Sequence, residues 1–314
     1  MLNLNELGES LFRNIAPLDP DATLSALEHA VLGATSEEPA KKCARYVQLL
    51  TSLAYEPEHF ERSVAMLAKA AVAGAEGSPS SIRQNANDTA KAFGSLFLVI
   101  QSGTHASPEQ RESVIRSLLS SSDPIERELG LKALDAALTA WHFGPVLSFG
   151  FGSRSRDFGY WPSTRKEVVE WFSRFLKLAE ELASSSYSEA QRVRTIIADK
   201  FRGLWTGAQM YVDLERICTS IAKKVFWAEG WSAVRETAYY DSKCFTPDVT
   251  AHLARIEEML QPRGDNPACA FYRFGKLLFG RWDPVGQQPR RGRRVRVVST
   301  AGQRLRARHE CGGR

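Results

Sequence analysis

The 314-residue chain reads as an all-α protein. Three observations carry that reading. Apolar residues recur at steps of three and four, the spacing of one helix face, along most of the length. Helix-start signals recur between those stretches, each a capping oxygen followed by proline or by a Gln or Glu that reaches back. No segment shows sustained two-residue alternation rich in β-branched residues, as a half-buried strand requires. Helices of roughly 12–22 residues joined by short turns predict stacked antiparallel pairs over residues 1–280, a degenerate stack of the HEAT or tetratricopeptide kind. No repeat of fixed period occurs, so a consensus array is not supported.

Leu4, Leu7, Leu11, Phe12 and Ile15 mark the first helix, which Pro17 to Pro20 ends. Asp21 is expected to cap a second, with Leu24, Leu27, Val31 and Leu32 on one face. A third runs from about Glu38 to Ala54, and a fourth starts at Pro57, where a missing N–H costs nothing, and stops at Gly74 to Pro79. The polar stretch Ser80 to Asp88 leads into Ala92, Phe93, Leu96, Phe97 and Ile100. Ser107-Pro108-Glu109-Gln110 and Asp123-Pro124-Ile125-Glu126 then start two helices, the second striped by Leu131, Leu134, Leu138 and Trp141. Thr164 to Glu167 is a further capping box, opening a strongly apolar helix with Trp171, Phe172, Phe175 and Leu176. Ser188 is expected to cap the next one. Two more follow near 207–228 and 230–241, another starts at Thr246-Pro247, and a last one is expected from Pro267 to Phe279.

Composition divides the chain once more. Residues 281–314 hold ten Arg and two acids, a net charge of +8, against 31 basic and 34 acidic residues in 1–280, a net charge of −3. The basic balance therefore belongs to a tail, predicted to be disordered. Arg290, Arg291, Arg293, Arg294 and Arg296 would carry phosphate contacts if that tail binds nucleic acid, but no aromatic ring beyond Trp282 is present to stack on bases. A third reading is that the tail arises from a shifted reading frame in GC-rich DNA. Five scattered cysteines without a C-x-x-C pair point to reduced thiols and a cytoplasmic protein. The longest apolar run, Leu96 to Ile100, is too short to span a bilayer.

One stretch departs from the helical pattern. Phe143 to Pro162 packs six aromatics (Phe143, Phe149, Phe151, Phe158, Tyr160, Trp161), four glycines, Arg154, Arg156 and Asp157 into twenty residues. Glycine at this density predicts a loop. Two readings stand. The rings plug a gap between helical layers while the charges pair with each other or with carbonyls. Alternatively Phe149, Arg154, Arg156, Asp157, Tyr160 and Trp161 form a recognition surface, since Arg, Tyr and Trp anchor interfaces.

No phosphate-cradling G-x-x-x-x-G-K-[ST], no dinucleotide glycine signature and no G-x-S-x-G occurs. The six histidines are scattered and no H-E-x-x-H is present, so neither a metal nor another cofactor is expected. The expectation is therefore a non-enzymatic chain with a protein partner.

Ser95-Leu96-Phe97 leading to Gln101-Ser102-Gly103-Thr104, Glu126 to Leu131, and Phe149-Gly150 through Arg154, Arg156-Asp157, Gly159-Tyr160 and Pro162 follow one another in a suggestive order. Together they resemble the C-terminal helical-repeat region of bacterial STAND-type, NACHT-like NTPases of the antiphage-defence kind. That resemblance covers about 1–280 and implies a sensor that binds a foreign protein. The effector and ATPase parts of such proteins have no counterpart here. The chain would be a detached sensor module, the partner of a separate ATPase, or a truncated remnant without independent function.

Overall fold

The computed structural model describes residues 4–32, 43–75, 80–141, 150–153 and 155–262, with side chains omitted at 32, 74–75 and 80–87. Within these residues it is all-α, twelve helices and no strand. The chain divides into two compact units. Among the described residues, unit 1 holds those up to 137 and those of 150–162; unit 2 holds 138–141 and 163–262.

In unit 1, α1 (Glu6–Ile15) starts where Asn5 Oδ1 accepts from the Gly8 N–H at 2.9 Å. Phe12 is the one helix residue it buries, edge-on against Tyr46 at 5.7 Å. Leu7, Leu11 and Ile15, expected on the inner face, are exposed instead. α2 (Pro20–Leu32) is capped by Asp19, whose Oδ1 accepts from Ala22 N–H at 2.9 Å. Asp21, the expected cap, instead binds Arg62 Nη1 at 2.5 Å, because Pro20 takes the first helical position and so sets the cap two residues back, at Asp19. Of the helix expected over 38–54, residues 38–42 lie outside the described residues. The remainder is a 3₁₀ turn (Ala44–Tyr46) and α3 (Val47–Leu53).

α4 (Pro57–Ala75) buries Phe60, Val64, Leu67 and Ala71. α5 (Ser80–Ser95) is helical from its start, through the polar stretch expected to precede it, because 81–93 contain no Gly or Pro to break it. It ends early: Leu96, Phe97 and Leu98 donate to carbonyls three residues back, and Leu96 and Phe97 are fully buried in that turn. α6 (Pro108–Leu119) carries the full capping box of Ser107 and Gln110, and α7 (Pro124–Ala137) has its Ile125 N–H accepted by Asp123 Oδ1 at 2.8 Å. α4 packs on α5, α5 on α7, and α6 on α7, with α3 and α2 against α4.

Unit 2 contains α8 (Arg165–Ala183), α9 (Ala190–Thr206), α10 (Tyr211–Ala222), α11 (Ala228–Asp241) and α12 (Pro247–Leu260). The Thr164–Glu167 capping box and the Thr246 cap with Pro247 at the first position form as their residues dictate. Ser188 does not cap α9; the cap position is Glu189, without a side-chain bond, because Ala190 N–H already donates to Tyr187 O in a preceding turn. α8 buries Trp171, Phe172, Phe175 and Leu176 completely, each contributing about 1.5–3 kcal/mol. The helices contact one another in two rows, α8 with α10 with α12, and α9 with α11, while α8–α9 and α11–α12 join the rows. The helix expected at 267–279 and the tail lie outside the described residues. No helix among the described residues is long and apolar enough to cross a membrane.

Candidate functional site

The site lies in unit 1, where the described part of the glycine-rich loop returns to two helix starts. Gln110 Nε2 donates to Pro57 O at 2.9 Å, so the N-terminal ends of α4 and α6 stand side by side. Tyr55 and His105 precede those ends, and His105 N–H donates to Tyr55 O at 2.9 Å. Their rings meet edge-on, centroids 4.9 Å apart.

Onto this pair the loop places Asp157. Its Oδ1 accepts from the Tyr55 hydroxyl (3.0 Å), lies 2.9 Å from His105 Nε2 and accepts from Gly159 N–H (2.8 Å). Burial raises the carboxyl's pKa, but the Gly159 N–H, the Tyr55 hydroxyl and His105 together outweigh it and hold the group below the usual carboxylate range. The same geometry raises the Tyr55 hydroxyl, through burial first and then the bond to the carboxylate. The phenol is thus kept protonated and is no nucleophile at neutral pH.

Arg156 is turned inward. Its guanidinium carbon sits 4.3 Å from the Tyr55 ring centroid and 4.4 Å from that of Phe151, and Nη1 donates to Ser52 O at 2.6 Å. A planar cation between two rings, with a carbonyl at its edge, is a fastener.

The other side of the loop is joined by backbone. Gly103 N–H donates to Phe158 O at 3.0 Å, and Tyr160 N–H to Thr104 O at 2.7 Å. Gly159 between them takes φ +84°, and its α-carbon approaches Thr104 so closely that no side chain fits. Beneath Thr104 lies Arg111, fully buried. It donates to the carbonyls of Leu98, Ala106 and Thr104 at 2.8, 3.2 and 3.1 Å and to Ser102 Oγ at 3.2 Å. The Tyr160 ring faces its guanidinium at 5.7 Å.

Of the six loop residues singled out by sequence, Phe149 and Arg154 lie outside the described residues. Arg156, Asp157 and Tyr160 come together, their contacts largely internal. Trp161 remains 38% exposed and its neighbour Phe158 48%. Sequence reasoning left out Tyr55, His105, Arg111 and Phe158 as site residues. The dense run Gln101-Ser102-Gly103-Thr104-His105 was the available signal for a tight turn under the loop. The five tail arginines, 290, 291, 293, 294 and 296, lie outside the described residues.

Elsewhere, among the described residues, no group of three or more His, Cys, Asp or Glu is placed to hold a metal ion. An open groove of about 550 Å³ in unit 2 is lined by Glu180, Arg216 and Lys224 among others. Of these, Arg216 pairs with Glu180 and Asp213, and Lys224 donates to Ser184 O.

No protein-family model, no curated protein and no solved structure matches the chain.

Proposed function

We propose that the chain acts by binding rather than by catalysis, and that unit 1 presents the 157–161 turn to a partner protein. The observation that carries this reading is the contrast within five residues. The turn is held by Arg156, by Asp157 Oδ1, by two backbone bonds and by a glycine packed on Thr104. Yet it leaves Phe158 and Trp161 with 48% and 38% of their surfaces outside. Rings held rigidly lose little entropy on binding, which is what an interface anchor needs. Asp157 Oδ2 has no bond to a described residue, so an acceptor stands at the edge of the rings.

The two rows of helices in unit 2 support a stacked-pair scaffold of the HEAT or tetratricopeptide kind, an architecture suited to extended binding surfaces. The resemblance to the sensor regions of STAND-type NTPases points the same way. It also supplies a biological setting: a prokaryotic defence system in which a helical module detects a foreign protein.

The test is selection of a displayed peptide library on the full chain, followed by affinity measurement on the Phe158→Ala/Trp161→Ala double variant. At least a tenfold loss, with an unchanged thermal melt, is the expected result. Selected peptides that bind wild type and variant equally would overturn the assignment.

A further inference from the structure

α1 is docked the wrong way round for an amphipathic helix. Its charged side faces the body of unit 1, where Arg13 Nη2 donates to Arg45 O at 2.9 Å and Glu9 Oε1 accepts from Arg45 Nη1 at 3.0 Å. Its apolar stripe points away: Leu7 is 69% exposed, Leu11 56%, Ile15 53%, and Leu18 in the following turn 81%. Isolated exposed apolar residues need no explanation, but three at helical spacing on one face, with a fourth in the turn that follows, do. They amount to an apolar patch on the order of 450 Å², within the range of about 300–600 Å² that the largest patch of a typical monomer reaches. A standard interface takes about 800 Å² from each partner, somewhat more than half of it apolar. The stripe supplies about that apolar share.

From this, we infer that the α1 stripe pairs with the α1 stripe of a second copy of the chain, antiparallel about a two-fold axis at Leu11. The order of residues makes the stripe self-complementary. An axis at Leu11 sets Leu11 against its own copy and Leu7 against Ile15, so every apolar position of the stripe within the helix meets another. An isologous contact requires such a palindromic arrangement. The residues flanking the stripe on the helix surface, Gly8, Ser10 and Asn14, are uncharged, so two identical faces meet without like-charge repulsion. The partner is thus a second copy, and this surface is separate from the 157–161 turn.

The test is sedimentation velocity of the full chain from roughly 1 to 100 μM, a range in which interfaces of this size associate. The expected result is a concentration-dependent shift from 35.0 kDa to twice that mass. Leu11→Asp and Leu11→Lys should each sediment as monomers, because the axis sets each new charge against itself. Mixing the two variants should restore a dimer containing one of each. Leu11 is largely exposed, so thermal melts of both variants should match wild type at the low end of that range, where wild type is monomeric. A wild-type chain that stays at 35.0 kDa throughout would overturn the inference, as would a dimer indifferent to Leu11→Asp, or a mixture that does not associate.

Discussion

A β-carbon on Gly159 would stand 2.4 Å from the backbone nitrogen of Thr104. Nothing at Thr104 can yield without breaking the 2.7 Å bond from Tyr160 N–H to its carbonyl. Gly159→Ala therefore meets both a clash and the penalty of a positive φ. The expected loss is about 3 kcal/mol of stability, measured by urea unfolding. Binding at the 157–161 turn should fall with it. Equal stability of variant and wild type would mean that the loop does not lie against Thr104.

Arg111 carries a heavier load. Arg111→Met strands the Leu98 and Ala106 carbonyls and takes a donor from Thr104 O and Ser102 Oγ, so a loss of about 3–5 kcal/mol is expected. Arg111→Lys should recover only part of this, because a compact ammonium cannot reach four acceptors arranged for a planar fork. Chemical denaturation of both variants checks the order: wild type, then Lys, then Met.

Asp157 makes a signed prediction about acid. Its pKa is lowered on folding, so its contribution is fully present above the unfolded value near 4 and disappears as pH falls through the lower folded value. Asp157→Asn should destabilise the chain by a constant amount above about pH 5, and that difference should shrink toward zero below about pH 4. Denaturant titrations of both proteins from about pH 6 down to about pH 3 measure it. A difference that grows on acidification would reverse the assigned sign.

In unit 2, Arg202 meets Asp241 through two bonds, Nε to Oδ2 at 2.6 Å and Nη2 to Oδ1 at 3.1 Å, with the Asp241 side chain almost wholly buried. The guanidinium also lies 5.2 Å from the Trp141 ring centroid and 4.8 Å from that of Tyr240. Asp241→Ala leaves this cation without its carboxylate, at an expected cost of about 3 kcal/mol. Trp141 fluorescence should shift with it, because the ring loses its fixed neighbour.

The described cysteines should separate by reactivity. Burial pushes the Cys43 thiol up to about 12 and raises Cys218 as well, whereas Cys244 is exposed. Brief alkylation of the native chain, followed by peptide mass mapping, should label Cys244 and spare the other two until denaturant is added.

Local rules were legible in the sequence wherever the partners were three or four residues apart. Ser107 with Gln110, Thr164 with Glu167, and the Thr246-Pro247 start form where their spacing puts them. The cap of α2 fell two residues from its expected place because aspartate stands on both sides of Pro20, at 19 and at 21. α1 misled for a different reason. Periodicity reports that a helix has an apolar face but not which way that face turns, and only Phe12 found a neighbour inside. Of the candidate site, the loop was legible and its seat was not. Tyr55 and His105 stand about 100 and 50 positions before Asp157, and no local pattern marks a histidine and a tyrosine for a carboxylate that distant. Arg111 looked like one more polar residue in a charged first turn; the carbonyls that bury it come from a turn whose path sequence spacing does not reveal.

The chain leaves unit 1 at residue 137; residues 138–141 belong to unit 2, and 150–153 and 155–162 belong to unit 1 again. This detour has a consequence for synthesis. A ribosome delivers all seven helices of unit 1 before the segment that fastens Tyr55, Ser52 and Thr104, and it has already begun unit 2 when that segment arrives. Arg111 and the helices of unit 1 are thus translated before the segment that covers them. A cut just after 137 parts the helices of unit 1 from the segment that covers them, whereas a cut just after 162 leaves the two on one fragment.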